Sequence, residues 1–277
     1  MKRLLFLLFL IIPSFSFAQL SVSAIGGQNG YAALRAQYLF KASPWIYITP
    51  KYSFYQDNDT VDMISRFGLR LDILPTDRTD FGLEGGFIPN TNGYTSYSVS
   101  ADGKYYIIKN ERGPVSNLYA GLGGDFINHR QTAGFADNNG FAINPYDINQ
   151  TRMKLFAGAD VKPFTVQAVF SKALTFEPEP TGNEVIWEDV PFVITVFKQF
   201  IDYSLGAYVT LPVQDMLALY AGYSTYKYRA SDISSQSAVA GATVNLGGVK
   251  ITGNIEFRDF DKPGSQVFYS LSSGLAF

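Results

Sequence analysis

The sequence predicts an all-β protein, a transmembrane antiparallel up-and-down barrel of 14 strands, with 12 as the alternative count. Three observations predict it. Apolar side chains alternate with polar or small ones at a two-residue period along most of the 277 residues, the signature of strands between two different surroundings. The composition is rich in aromatics (16%) and poor in charge (17%), with 25 Gly and a mean hydropathy of +0.02, as alternation between lipid and water produces. The final stretch, Val267 to Phe277, sets Val267, Tyr269, Leu271, Leu275 and Phe277 on one parity against Phe268, Ser270, Ser272, Gly274 and Ala276.

The amino end comes first. Lys2-Arg3, the apolar run Leu4 to Ile12 and the exit Pro13 to Ala18 form an export signal, with Ser16 and Ala18 at the −3 and −1 positions for cleavage before Gln19. Its nine apolar residues are too few for a spanning helix. Residues 1–18 are therefore expected to be removed, leaving 19–277 as the barrel. Without Lys2 and Arg3, 20 basic side chains face 24 acidic ones, a charge of −4 that gives nucleic acid no basic patch. Cys is absent, which excludes a lipid-anchor motif, a disulfide framework and thiol chemistry.

Strands follow at 19–26, 31–41, 45–55, 62–73, 79–88, 94–108 and 117–128. Residues 129–150, rich in Asn, Asp and Gly, carry no period and are expected to be a loop. Alternation resumes at 152–161 and 164–175, stops over the loop Glu177 to Asn183, and returns from Asp202 through 217–226, 237–246 and 249–258 to the terminal strand. Gly247-Gly248 reads as a two-residue hairpin turn. The apolar stretch 184–200 is counted as a loop, because closure with both ends on one side needs an even strand number. It is expected to enter the lumen as a constriction, to pack on the rim, or to form a short strand pair above the membrane.

Charge orients the faces. Arg66, Arg70, Asp72, Glu84, Arg152, Lys154, Asp160, Lys250, Glu256 and Arg258 all oppose the apolar set. A Lys or Arg facing lipid at midplane costs roughly 2–4 kcal/mol, so these residues, with Lys51, are expected to line a polar lumen of mixed charge. A soluble β-sandwich or lipocalin-like barrel would share the periodicity. Strand lengths of nine or more, the terminal Phe and aromatic strand ends such as Tyr38, Phe54, Phe81 and Phe126 favour the membrane.

The terminal strand resembles the closing strand of Gram-negative outer-membrane β-barrels of the porin-like superfamily. The likeness spans the mature chain and points to no single family. It implies that Tyr269, Leu271, Leu275 and Phe277 serve as the assembly signal, that the barrel-assembly machinery inserts the chain, and that lipid and lipopolysaccharide of the bacterial outer membrane surround it.

Catalytic readings are weak. A barrel hydrolase needs His beside a Ser nucleophile or an Asp, yet the sole histidine, His129, has its nearest Ser at 116 and is read as a rim residue. Asp57-Asn-Asp-Thr-Val-Asp62 lacks the Gly and the terminal Glu of a calcium loop and reads as a solvated turn. Gly121-Leu-Gly-Gly124 lies within a strand, where small lumen-facing residues explain it. No metal or other cofactor is expected. At 14 strands the lumen exceeds what side chains fill, so a passive channel for small solutes is the first functional reading. A closed structural or adhesive barrel with 129–150 as its contact surface is the second, and a lipid-handling enzyme the third. Solute and oligomeric state stay open.

Overall fold

The computed structural model describes residues 18–28, 30–57, 60–109, 113–132, 134–136, 142–182, 184, 186–189, 196–197, 199–230, 233–260 and 265–276. The expected signal segment and Phe277 lie outside them, apart from Ala18. Among the described residues eighteen strands occur: β1 (Ala18–Gly27), β2 (Ala32–Ser43), β3 (Ile46–Asp57), β4 (Thr60–Thr76), β5 (Thr79–Thr91), β6 (Tyr94–Lys109), β7 (Val115–Gln131), β8 (Phe135–Ala136), β9 (Ala142–Ile143), β10 (Tyr146–Val161), β11 (Phe164–Glu177), β12 (Glu188–Asp189), β13 (Val196–Phe197), β14 (Ile201–Gln214), β15 (Leu217–Tyr228), β16 (Ser234–Leu246), β17 (Val249–Phe260) and β18 (Gln266–Ala276). Fourteen form one closed antiparallel barrel in chain order, and β1 seals the ring against β18, with Gln19 opposite Ala276. The pairs β8–β9 and β12–β13 are two-residue ladders in the long connections.

One end of the barrel carries the turns at 44–45, 77–78, 162–163, 215–216 and 247–248, together with the start of β1 and the end of β18. Gly247 and Gly248 both take positive φ (53° and 93°), as a type I′ hairpin requires. The long connections, 132–145 and 178–200, leave the other end.

The polarity is that of a barrel in lipid. Leu122 is 67% exposed and Val99 65%, whereas Glu256 is 0% exposed and Arg258 1%. Large apolar side chains outside and charges inside make sense only where the outer medium is itself apolar. Among the described residues no helix is long and apolar enough to cross a membrane, and the crossing belongs to strands.

Strands reach further than periodicity predicts. The strands β7 and β10 run to Gln131 and from Tyr146, taking both flanks of the region expected to be loop. The correction has a physical cause. Asn128 bonds Asp147 and Asn149, and Arg130 pairs with Asp147 at 3.7 Å, all on the outer face. Past Phe126 the outside of the wall faces water, so the apolar half of the alternation disappears while the strand continues. At about 3.3 Å per residue, the 17 residues of β7 span roughly 56 Å, twice the apolar band of about 25 Å.

Candidate functional site: the barrel lumen

Residues of β1 to β7, β10, β11 and β18 line a cavity of about 760 Å³. Register explains its charged floor. Arg70 stands opposite Glu84 on β4 and β5, Glu84 opposite Ser100, Ser100 opposite Asp125, and Asp125 opposite Arg152, so one row crosses five strands.

Glu84 and Asp125 each serve several cations. Glu84 accepts from Lys51 Nζ at 2.7 Å and lies 3.6 Å from Arg66 and 3.9 Å from Arg70. Asp125 accepts both a bidentate bond from Arg152, at 2.7 and 2.8 Å, and Lys154 Nζ at 2.7 Å. Arg70 donates to both oxygens of Asp102, at 2.8 and 3.0 Å, while its Nε donates to Asp72 at 2.8 Å. Bidentate pairs of this kind fix the guanidinium planes.

Glycine makes room for these side chains. A Cβ at Gly86 would stand 2.8 Å from Arg66 Nη2, and one at Gly82 would collide with the guanidinium of Arg70. Elsewhere on the wall, the rings of Phe156, Tyr119 and Tyr208 lie over Gly121, Gly158 and Gly222, where a Cβ would meet them. Within the Gly121-Leu-Gly-Gly124 run, Gly121 thus seats the Phe156 ring, while Gly123 and Gly124 lie close to the backbone of the neighbouring strands.

A second cavity of about 380 Å³ adjoins the first towards the short-turn end. The two share Ser21, Gln37, Lys51, Arg70 and Ser272, and Lys250 lines the second. On the opposite side the interior is filled. Glu256 accepts from Ser237 Oγ at 2.5 Å and from Arg258 Nη2 at 2.9 Å, and the Arg258 guanidinium sits over the rings of Tyr226 and Phe268.

The long-loop end is apolar. Ile25, Tyr31, Tyr55, Ile64, Ile88, Tyr94 and Phe268 point inward and cluster with Trp187 from the β11–β14 connection. Ile186 is buried against Ile148, Ala173, Phe176 and Phe200. Of the readings for 184–200, insertion describes Ile186 and Trp187, and the short pair β12–β13 accompanies it; residues 185, 190–195 and 198 lie outside the described set.

His129 departs from its predicted place. It is 1% exposed rather than on the rim. The Tyr94 hydroxyl hydrogen-bonds its Nδ1 at 2.9 Å, the Gln150 amide oxygen lies 3.4 Å from Nε2, and Phe200 meets the ring edge-on. The same hydroxyl accepts the backbone N–H of Trp187 at 3.4 Å. The histidine thus props the inserted segment. The reason is the reach of β7: a strand ending at 128 would leave residue 129 on the rim, and one ending at Gln131 takes it inside.

Of the predicted lumen residues, Lys51, Arg66, Arg70, Glu84, Arg152 and Lys154 line the larger cavity. Asp72 holds Arg70, and Asp160 accepts from Asn117 and Thr165 at 2.5 and 2.8 Å. Glu256 and Arg258 are sealed in the filled half. Tyr269 and Leu271 face outward, as strand parity requires. Of the Asp57 to Asp62 turn, residues 58–59 lie outside the described set. Among the described residues no group of three or more His, Cys, Asp or Glu is placed to hold a metal ion.

No protein-family model matches the chain, and comparison with curated sequences finds no match. Solved structures do match. The CymD monoaromatic hydrocarbon channel aligns with a TM-score of 0.53 at 10% identity, over 96% of this chain and 90% of its own. The toluene transporter TodX of Pseudomonas putida gives 0.52 at 10%, over 95% and 89%. OprD of Pseudomonas aeruginosa gives 0.49 at 10%, over 96% and 95%. This is the fold of the outer-membrane β-barrels.

In a barrel of this fold the inward-facing side chains line the lumen. Arg35, Asp102, Asp125, His129 and Trp187 line this one although sequence reasoning omits them. Parity alone selects Arg35, Asp102 and Asp125, each of which opposes an apolar neighbour. Trp187 carries no such signal, because its connection has no period.

Proposed function

We propose that the protein is a channel of the bacterial outer membrane that passes small solutes through its lumen. The observation that carries this reading is the pair of adjoining cavities, about 760 and 380 Å³, inside a closed wall. A space of several hundred Å³ with convergent polar groups is the size of a small-molecule site. Similarity in fold to proteins described as a hydrocarbon channel and a toluene transporter supports the same role. Solute moves along the charged row, past Arg70 and Lys250, and the Ile186–Trp187 segment narrows the long-loop end. The chain reaches its place after removal of residues 1–18, with lipid and lipopolysaccharide around the wall and the terminal strand addressing the assembly machinery. No catalytic step is part of this reading.

A second reading is favoured by the apolar cluster around Trp187: a closed barrel whose loops are its working surface. Conductance separates the two. The refolded protein, checked for a heat-dependent shift on an SDS gel, is added to a planar bilayer. Steady ohmic steps are expected of the channel, and a correctly folded but silent barrel overturns it in favour of the closed form.

A further inference from the structure

Among the described residues, the larger cavity is lined by more cations than carboxylates. Arg35, Lys51, Arg66, Arg70, Arg152 and Lys154 stand against Glu84, Asp102 and Asp125, six to three. Adding Asp72, which holds Arg70, and Lys250 of the adjoining cavity leaves the same excess of three. The sharing of Glu84 by three cations and of Asp125 by two is the geometric form of that excess. A lumen with low-dielectric walls and surplus positive charge concentrates anions.

The same cavity has an apolar side. Ile88, Ile127 and Trp187 line it one or two rows above Glu84 and Asp125 towards the long-loop end. We propose that it binds small amphipathic organic anions, the carboxylate seated among Arg66, Arg152 and Lys154 and the apolar body against Ile88, Ile127 and Trp187. This deepens the channel reading and rests on it for its biological meaning. A bare inorganic anion would leave the apolar wall uncovered, and an organic cation would meet the charge excess.

The test uses one ring with three charges. Benzoate, benzyl alcohol and benzylamine are titrated calorimetrically into the refolded full-length protein in neutral detergent at low salt. Benzoate is expected to bind saturably, one per barrel, at least about tenfold tighter than the alcohol (about 1.4 kcal/mol), with the amine weakest. Lys154→Gln is expected to weaken benzoate about tenfold. Lys51→Gln, which removes another cation lining the same cavity, gives a second reading should the first variant fail to fold, and Lys162→Gln on an exterior turn leaves binding unchanged.

Equal or tighter binding of the alcohol or amine, or no saturable benzoate heat, overturns the inference. Bilayer recordings under a salt gradient keep the two readings apart. Benzoate binding by a silent protein keeps the anion site and overturns the channel. Conduction with a cation-directed reversal potential and no benzoate binding keeps the channel and overturns the site.

Discussion

Asp125 answers two cations from inside the wall, and its loss would remove the carboxylate that Arg152 and Lys154 share. Removing one partner of a buried ionic cluster costs about 3–5 kcal/mol. Asp125→Asn is therefore expected to lower stability by that amount in urea unfolding from lipid vesicles, followed by the loss of the heat-modifiable band. Gly121 offers a test without charge. Its Cα lies beneath the ring of Phe156, so Gly121→Val is expected to cost about 1–3 kcal/mol by overpacking. Adding Phe156→Ala should recover part of the loss, a coupling that a double-mutant cycle reads. Residues of this kind were legible as inward-facing from parity alone. Which cation meets which carboxylate was not, because Lys51 and Glu84 lie 33 positions apart and meet only through the register of β3, β4 and β5.

At the scale of the strand, alternation read the wall well wherever the outside is lipid. It failed at 129–131, where both faces are polar and a period has no contrast to show, and at 146–150, where the lumen side turns apolar with Tyr146 and Ile148 while Asp147 and Asn149 face out. Phe268, an exception to the pattern of the terminal strand, is the converse. It points inward, meets Tyr31 edge-on at 5.2 Å and lies over Gly27, so an aromatic on the polar parity marks the apolar end of the lumen. The outward polar pairs of Asn128 and Arg130 with Asp147 put the edge of the lipid on β7 just past Phe126. Leu122→Arg at midplane is expected to cost roughly 2–4 kcal/mol of folding free energy in a bilayer, and Asn128→Arg near the boundary about 0–1 kcal/mol, both read by denaturant titration in vesicles. Equal costs would show that the apolar band continues past Phe126.

For the whole barrel, the interior is divided rather than uniform: packed where Glu256 and Arg258 sit, hollow beside Glu84 and Asp125, and apolar beneath Trp187. The inserted segment is the part that sequence could not supply, since its position follows from the burial of Ile186 and Trp187 against side chains far apart in the chain. Trp187→Ala is expected to raise single-channel conductance severalfold in the same bilayer assay while the SDS-gel shift persists, and an unchanged current would place the narrowing elsewhere. The pairing of Gln19 with Ala276 has a further consequence. Because the first and last strands are lateral neighbours in the ring, the wall keeps the cyclic order of the strands but not the point at which the chain begins. A circular permutant with Gln19 and Ala276 bridged by a short linker and opened between Gly247 and Gly248 would need every one of the same contacts and no new one.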